Sequence, residues 1–103
     1  MCYIVMRVIS KAMLQHHWEM HGREDSEQQL RAWHQEAENA RWGSPQDIRD
    51  GYPSASFVGE RVVFNIKGNK YRLVVYVNYD YFTVYTRFVG THSEYDEIDV
   101  RTI

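Results

Sequence analysis

The stretch Arg61-Val-Val-Phe-Asn65-Ile-Lys67-Gly68-Asn69-Lys70-Tyr71-Arg72-Leu-Val-Val-Tyr76-Val-Asn-Tyr-Asp-Tyr-Phe-Thr-Val-Tyr85-Thr-Arg87-Phe-Val-Gly-Thr91-His92 decides the fold. It reads as three antiparallel strands. Gly68-Asn69 is a two-residue hairpin signal. Strands closed on it place Lys67 opposite Lys70, Asn65 opposite Arg72 and Val63 opposite Val74. The other parity pairs Ile66 with Tyr71, Phe64 with Leu73 and Val62 with Val75. That second set is apolar and faces the core, because a one-residue slip inverts every side chain. A further turn centred on Tyr79-Asp80 sets Arg72 opposite Arg87, on the face of Asn65. A four-residue loop slides this register by two and keeps Arg87 on that face. An odd-length loop breaks it.

Like charges directly opposite each other destabilise a sheet. From Arg61 to Ser93 there are five Lys/Arg and one acid, Asp80. Either carboxylates pair with these cations or an anionic ligand does, and few carboxylates are local. The bland alternative is an ordinary solvated sheet face, since Lys and Arg usually sit outside. A cationic face with a histidine at its exit is otherwise an anion site, and RNA is the large anion that fits it.

At 103 residues, 44% hydrophobic and 25% charged, the chain reads as one globular domain spanning residues 1–103. No run approaches the length of a membrane span, so no membrane is expected as a partner. The opening residues lack the charged flank of a signal peptide. Cys2 is the one cysteine, which fits a reducing cytoplasm and an inert thiol. Met6 offers a second sensible start, and no function is assigned to residues 1–5. A net charge of −2 argues against indiscriminate nucleic-acid binding. Residues 10–50 hold eight acids and five bases, so an acidic helical half and a basic sheet suggest a focused site.

Tyr3 to Ile9 reads as a strand. Ser10 caps a helix running to about His21, with Gly22 as its stop. Ser26-Glu27-Gln28-Gln29 matches a capping box, and Leu30, Trp33, Ala37 and Ala40 recur behind it as a core stripe. Gly43 ends that helix, and Ser44-Pro45 restarts a short one. Gly51 to Gly59 reads as a loop. Thr91-His92-Ser93-Glu94 is another capping box and opens a terminal helix. The order β-α-α-(short α)-β-β-β-α is that of an α+β fold, with helices on one face of a mainly antiparallel four-stranded sheet. The other face is left for a ligand.

Tyr52-Pro-Ser-Ala-Ser-Phe-Val, Val63-Phe-Asn-Ile-Lys-Gly-Asn-Lys-Tyr-Arg-Leu-Val and Arg87-Phe-Val-Gly-Thr-His-Ser-Glu-Tyr-Asp together resemble the HigB family of bacterial toxins. The resemblance runs from Met6 to the C-terminus. It implies a RelE-like fold and cleavage of mRNA, often on the ribosome. It also implies neutralisation by a helix-turn-helix antitoxin of the HigA kind.

Cleaving RNA without a metal needs few parts, because the 2′-OH is the nucleophile. The protein must deprotonate it, stabilise the phosphorane and protonate the leaving 5′-oxygen. Arg72 and Arg87 suit the phosphate, and Lys67 and Lys70 add charge. Asn65 and Asn69 can bond a base edge or sugar. His92 is the natural proton-transfer group near neutrality; otherwise it is a surface cap residue. Tyr95 and Asp96, one turn on, can assist, with core packing the alternative for Tyr95. Tyr76 and Tyr85 share the cationic parity and can stack bases, although tyrosine suits strands in any case. His17 and His21 invite a metal reading at i, i+4, but Trp18 stands where a zincin needs Glu and no third ligand has workable spacing. No metal or cofactor is expected. Two other functions use the same surfaces. One is a silent RNA- or ribosome-binding module. The other is an inactive toxin homologue that binds a protein partner.

Overall fold

The computed structural model describes residues 6–68 and 70–103. In chain order it has β1 (Arg7–Ile9), α1 (Lys11–Trp18), a 3-10 turn (Glu24–Ser26), α2 (Glu27–Asn39), α3 (Pro45–Gly51), β2 (Ser56–Val58), β3 (Arg61–Ile66), β4 (Tyr71–Asn78), β5 (Thr83–Thr91) and α4 (His92–Asp96). The strands form one sheet in the order β1-β5-β4-β3-β2, with β1 parallel to β5 and the other pairs antiparallel. This is the expected α+β arrangement with one correction: the sheet has five strands, not four. The additional strand, β2, lies in the segment read as a loop. It pairs with β3 through a two-residue turn, Gly59-Glu60, with Gly59 at φ 59°, and a glycine opening a two-residue turn is itself a hairpin signal.

The β3–β4 register is the one the hairpin signal dictates. Asn65 faces Arg72, Val63 faces Val74, and Phe64 faces Leu73. The turn closes with Lys70 N–H donating to the Lys67 carbonyl at 3.2 Å. Asn69 lies outside the described residues. One face of the sheet packs Val62, Phe64, Leu73, Val75, Val77 and Val84 against Leu14, Leu30, Trp33, Ala37 and Ile48 of the helices. Trp33 meets Phe64 edge-on at 5.4 Å, a geometry aromatic pairs favour. The expected stripe of α2 is thus the core stripe.

Several helix ends differ from expectation. Helix α1 stops at Trp18, before His21, and α2 stops at Asn39, before Gly43. The Ser26–Gln29 capping box does not form. The Ser26 hydroxyl donates to the Arg23 carbonyl at 2.8 Å and meets His17 Nδ1 at 3.1 Å. The Gln29 side chain instead accepts from the Lys67 amide.

The β4–β5 register also departs from expectation. The loop has four residues, Tyr79 to Phe82, because Asn78 pairs with Thr83. The Asn78 side chain holds it by accepting from the Asp80 and Tyr81 amides at 3.1 and 3.2 Å. Tyr76 then faces Tyr85 and Val75 faces Thr86, but Val74 faces Phe88 and Arg72 faces Gly90. Arg87 is the extra residue of a β-bulge. Its place opposite Arg72 is therefore corrected.

The second face is not open along its length. After α4 the chain folds back, and Val100 buries itself against Val63 and Val74, with Tyr95, Ile98 and Ile103 packed around them. Arg61 Nε and Nη2 donate to the Ile103 main-chain oxygen at 2.8 and 2.6 Å. Among the described residues no helix is long and apolar enough to cross a membrane.

Candidate functional site

Strand pairing alone places Arg72 beside Asn65, and the Arg72 Nη1 donates to Asn65 Oδ1. The guanidinium carbon lies 5.5 Å from the Tyr95 ring centre. Arg72 Nε is buried with no hydrogen-bond partner among the described residues. No carboxylate reaches this guanidinium among the described ion pairs. A half-buried cation with a spare donor is costly unless something completes it.

Opposite Arg72 the chain has Gly90. A Cβ there would sit 2.6 Å from the tip of Phe88 and 2.7 Å from Glu94 Oε1. The absence of a side chain lets α4 close down on the strand ends. Helix α4 opens with the capping box read from the sequence: Glu94 N–H donates to Thr91 Oγ1 at 3.2 Å, and Thr91 N–H donates to Glu94 Oε1 at 2.9 Å. Arg23 adds a bidentate bond to the same carboxylate at 2.9 and 3.0 Å. The Arg23 guanidinium, with the Thr91 amide, pushes Glu94 down to about 2.

This clasp fixes the start of α4 and hence His92. The His92 amide donates to the Lys70 carbonyl at 3.2 Å. The imidazole Nδ1 lies 3.2 Å from Asp96 Oδ2, one turn on. A carboxylate only accepts, so Nδ1 carries the proton and Nε2 is left as an acceptor in the neutral ring.

The sequence-expected cations do not all converge. Lys67 is exposed at the hairpin, with φ 55°. Lys70 is paired: its ammonium donates to Asp25 Oδ2 at 2.6 Å, and Tyr71 OH donates to Asp25 Oδ1 at 2.6 Å. The lysine, then the tyrosine, hold Asp25 below the ordinary carboxylate value. A count of acids near the strands misses Asp25 because it arrives from the 3-10 turn. Arg87 is exposed, with its guanidinium carbon 5.5 Å from the Tyr85 ring centre. Tyr76 and Tyr85 stand with ring centres 6.2 Å apart. Together the structure joins Asn65, Arg72 and Tyr95, sets His92 with Asp96 on the adjoining helix, and leaves Arg87 with the two tyrosines.

His17 is a core residue. Its ring packs edge-on against Tyr71 at 4.9 Å. Ser26 spends its proton on Arg23, so His17 Nδ1 is the donor of that pair. Burial, helped by the Arg23 charge, lowers His17 to about 4. Among the described residues no group of three or more His, Cys, Asp or Glu is placed to hold a metal ion.

Arg23 was invisible to motif reading, being seventy-one positions from Glu94. Glu94 could be read as a cap but not as the anchor of a clasp.

No curated protein matches this chain in a sequence search. A family model described as HigB_toxin, RelE-like toxic component of a toxin-antitoxin system, matches residues 26–98. Those residues include the hairpin, Arg72, the bulge and the Thr91–Glu94 cap of α4, though not Arg23, and they make up most of the chain: the protein belongs to the HigB_toxin family.

Proposed function

We propose that the toxin is an endoribonuclease that cleaves mRNA on the ribosome, in the cytoplasm, by attack of the substrate's own 2′-OH. The whole chain acts as one toxin domain. The observation that carries this reading is Arg72: a half-buried guanidinium beside Asn65 and Tyr95 whose Nε has no hydrogen-bond partner, and which has no ion-pair partner, among the described residues. Guanidinium binds phosphate bidentately, and a phosphoryl oxygen supplies the missing acceptor. Charge builds on the phosphorane oxygens in the transition state, where a pre-positioned cation counts most.

His92 takes the 2′-OH proton through Nε2 while Asp96 holds the ring and stabilises the imidazolium. Lys67 supplies further positive charge from the hairpin. Tyr95, stacked on Arg72, donates to the leaving 5′-oxygen. The donor set suits a metal-free route, and His17 is committed to the core. A helix-turn-helix antitoxin is the inhibitory partner.

Arg72→Ala should abolish growth arrest at equal soluble expression, and cleavage should survive EDTA on ribosomes kept assembled by polyamines. Arg87→Ala should cost less than Arg72→Ala, because the bulge takes Arg87 out of register with Arg72. Full toxicity of Arg72→Ala would overturn the assignment. Activity lost to chelation and restored by zinc would do the same for the metal-free route.

A further inference from the structure

The far end of the same sheet face carries a second group of side chains. Arg61, Tyr76 and Tyr85 form one cross-strand row, since Arg61 pairs with Tyr76 and Tyr76 with Tyr85. The two rings are tilted by 39° with centres 6.2 Å apart. The Arg61 guanidinium carbon lies 5.3 Å from the Tyr76 ring centre, and that of Arg87 lies 5.5 Å from the Tyr85 ring centre. Arg87 stands beside the row, two residues along β5 from Tyr85. Arg87 has no carboxylate partner among the described ion pairs, whereas Arg61 commits Nε and Nη2 to the Ile103 oxygen, which orients it, and has Nη1 left for a ligand. Tyr76 is four residues along β4 from Arg72, about 13 Å at ~3.3 Å per residue. Val100, seated on Val63 and Val74, separates the two groups with an apolar stretch that offers phosphate nothing.

We propose that Arg61, Tyr76, Tyr85 and Arg87 form a second subsite, a stacking platform for unpaired bases of single-stranded RNA. It rests on the reading of Arg72 as a phosphate site and extends it to a strand that crosses the sheet. Ring faces accept any base, and the flanking guanidinium groups take the phosphates on either side. An acidic protein segment would use the two arginines but has no use for a pair of ring faces.

The test compares two fluorescein-labelled single strands with equal numbers of phosphates, an oligoadenylate and an abasic oligomer, titrated against the full-length toxin. Wild type should bind the oligoadenylate about ten- to hundredfold tighter. Tyr76→Val/Tyr85→Val, with its fold checked by circular dichroism, should bind both strands with the affinity of the abasic one. Should that variant fail to fold, Tyr76→Trp/Tyr85→Trp keeps the ring faces and should hold or raise the preference. Arg72→Ala should weaken both strands by a similar factor, because that loss is of phosphate binding. Equal wild-type affinity for the two strands overturns the platform and leaves the phosphate site standing. A base preference kept by the valine variant also overturns it, as does an unchanged preference with lost antitoxin binding, which would mark a protein interface. If wild type binds neither strand, the RNA reading itself falls with it.

Discussion

Arg23 braces the start of α4 through the Glu94 carboxylate, so replacing it by Met should loosen the site without touching it. The magnitude follows from Glu94. A carboxyl lowered from 4.5 to about 2 corresponds to roughly 3 kcal/mol at about 1.36 kcal/mol per pH unit. Part of that shift comes from the Thr91 amide and hydroxyl, which Arg23→Met leaves in place, and the Glu94 side chain is 44% exposed, so the share supplied by Arg23 is ~1 kcal/mol after solvent screening. Each kcal/mol should lower the melting temperature by roughly 4–8 °C in a domain of this size. The sign gives a second check. A folded-state value below the unfolded one stabilises the protein above about pH 4.5, and that contribution is lost as pH falls toward 2. Arg23→Met should therefore melt below wild type at pH 7, with the gap reduced to about a quarter at pH 2.5 and closing below about pH 2. Calorimetry across that range measures the difference. Single-turnover cleavage at pH 7 should fall by on the order of 10–100-fold as His92 and Tyr95 lose their placement. A gap in melting temperature that is the same at pH 7 and pH 2.5, or no gap at all, would refute the clasp.

Gly90→Ala puts a methyl group against Phe88 and Glu94 and should cost ~1–3 kcal/mol in urea unfolding. Refolding to wild-type stability would mean that α4 gives way freely. His17→Phe keeps a ring against Tyr71 and removes a group that the unfolded chain protonates below pH 6.5 but the folded chain resists down to about 4; stability should then fall less steeply as pH drops through that window. Leu73→Ala, fully buried between helices and sheet, should cost ~2–5 kcal/mol by denaturant titration.

The β3–β4 hairpin was legible because alternation with period two excludes odd slips and the Gly68-Asn69 turn signal fixes which even register forms. The Thr91–Glu94 capping box was legible because its partners are three residues apart. The bulge at Arg87 was not, since one extra residue in a strand leaves no mark in composition. Lys70–Asp25 and Arg23–Glu94 were not, because each joins residues far apart in the chain. Ser26 carried a cap pattern but lay close enough to His17 to be used otherwise. The covered patch left a signal. Leu73-Val74-Val75 is a continuous apolar run, the pattern of a strand buried on both faces, and Val74 falls opposite Val63 on the polar side. What could not be read was that Val100 returns to cover them. Of the site, Asn65 with Arg72 came from register, while the partition of Arg87 from Arg72 needed the three-dimensional structure.

In the proposed reaction one phosphate site at Arg72 is served by one proton-transfer group, His92. His92→Gln keeps a hydrogen-bonding side chain near Asp96 but cannot exchange protons near neutrality. The decisive measurement is the single-turnover cleavage rate of this variant on programmed ribosomes, with affinity titrated separately so that binding and chemistry are not confused. Unchanged affinity is expected, with a rate lower by on the order of 10²–10⁴. Normal binding with a rate within a few-fold of wild type would contradict that role and leave His92 a cap residue.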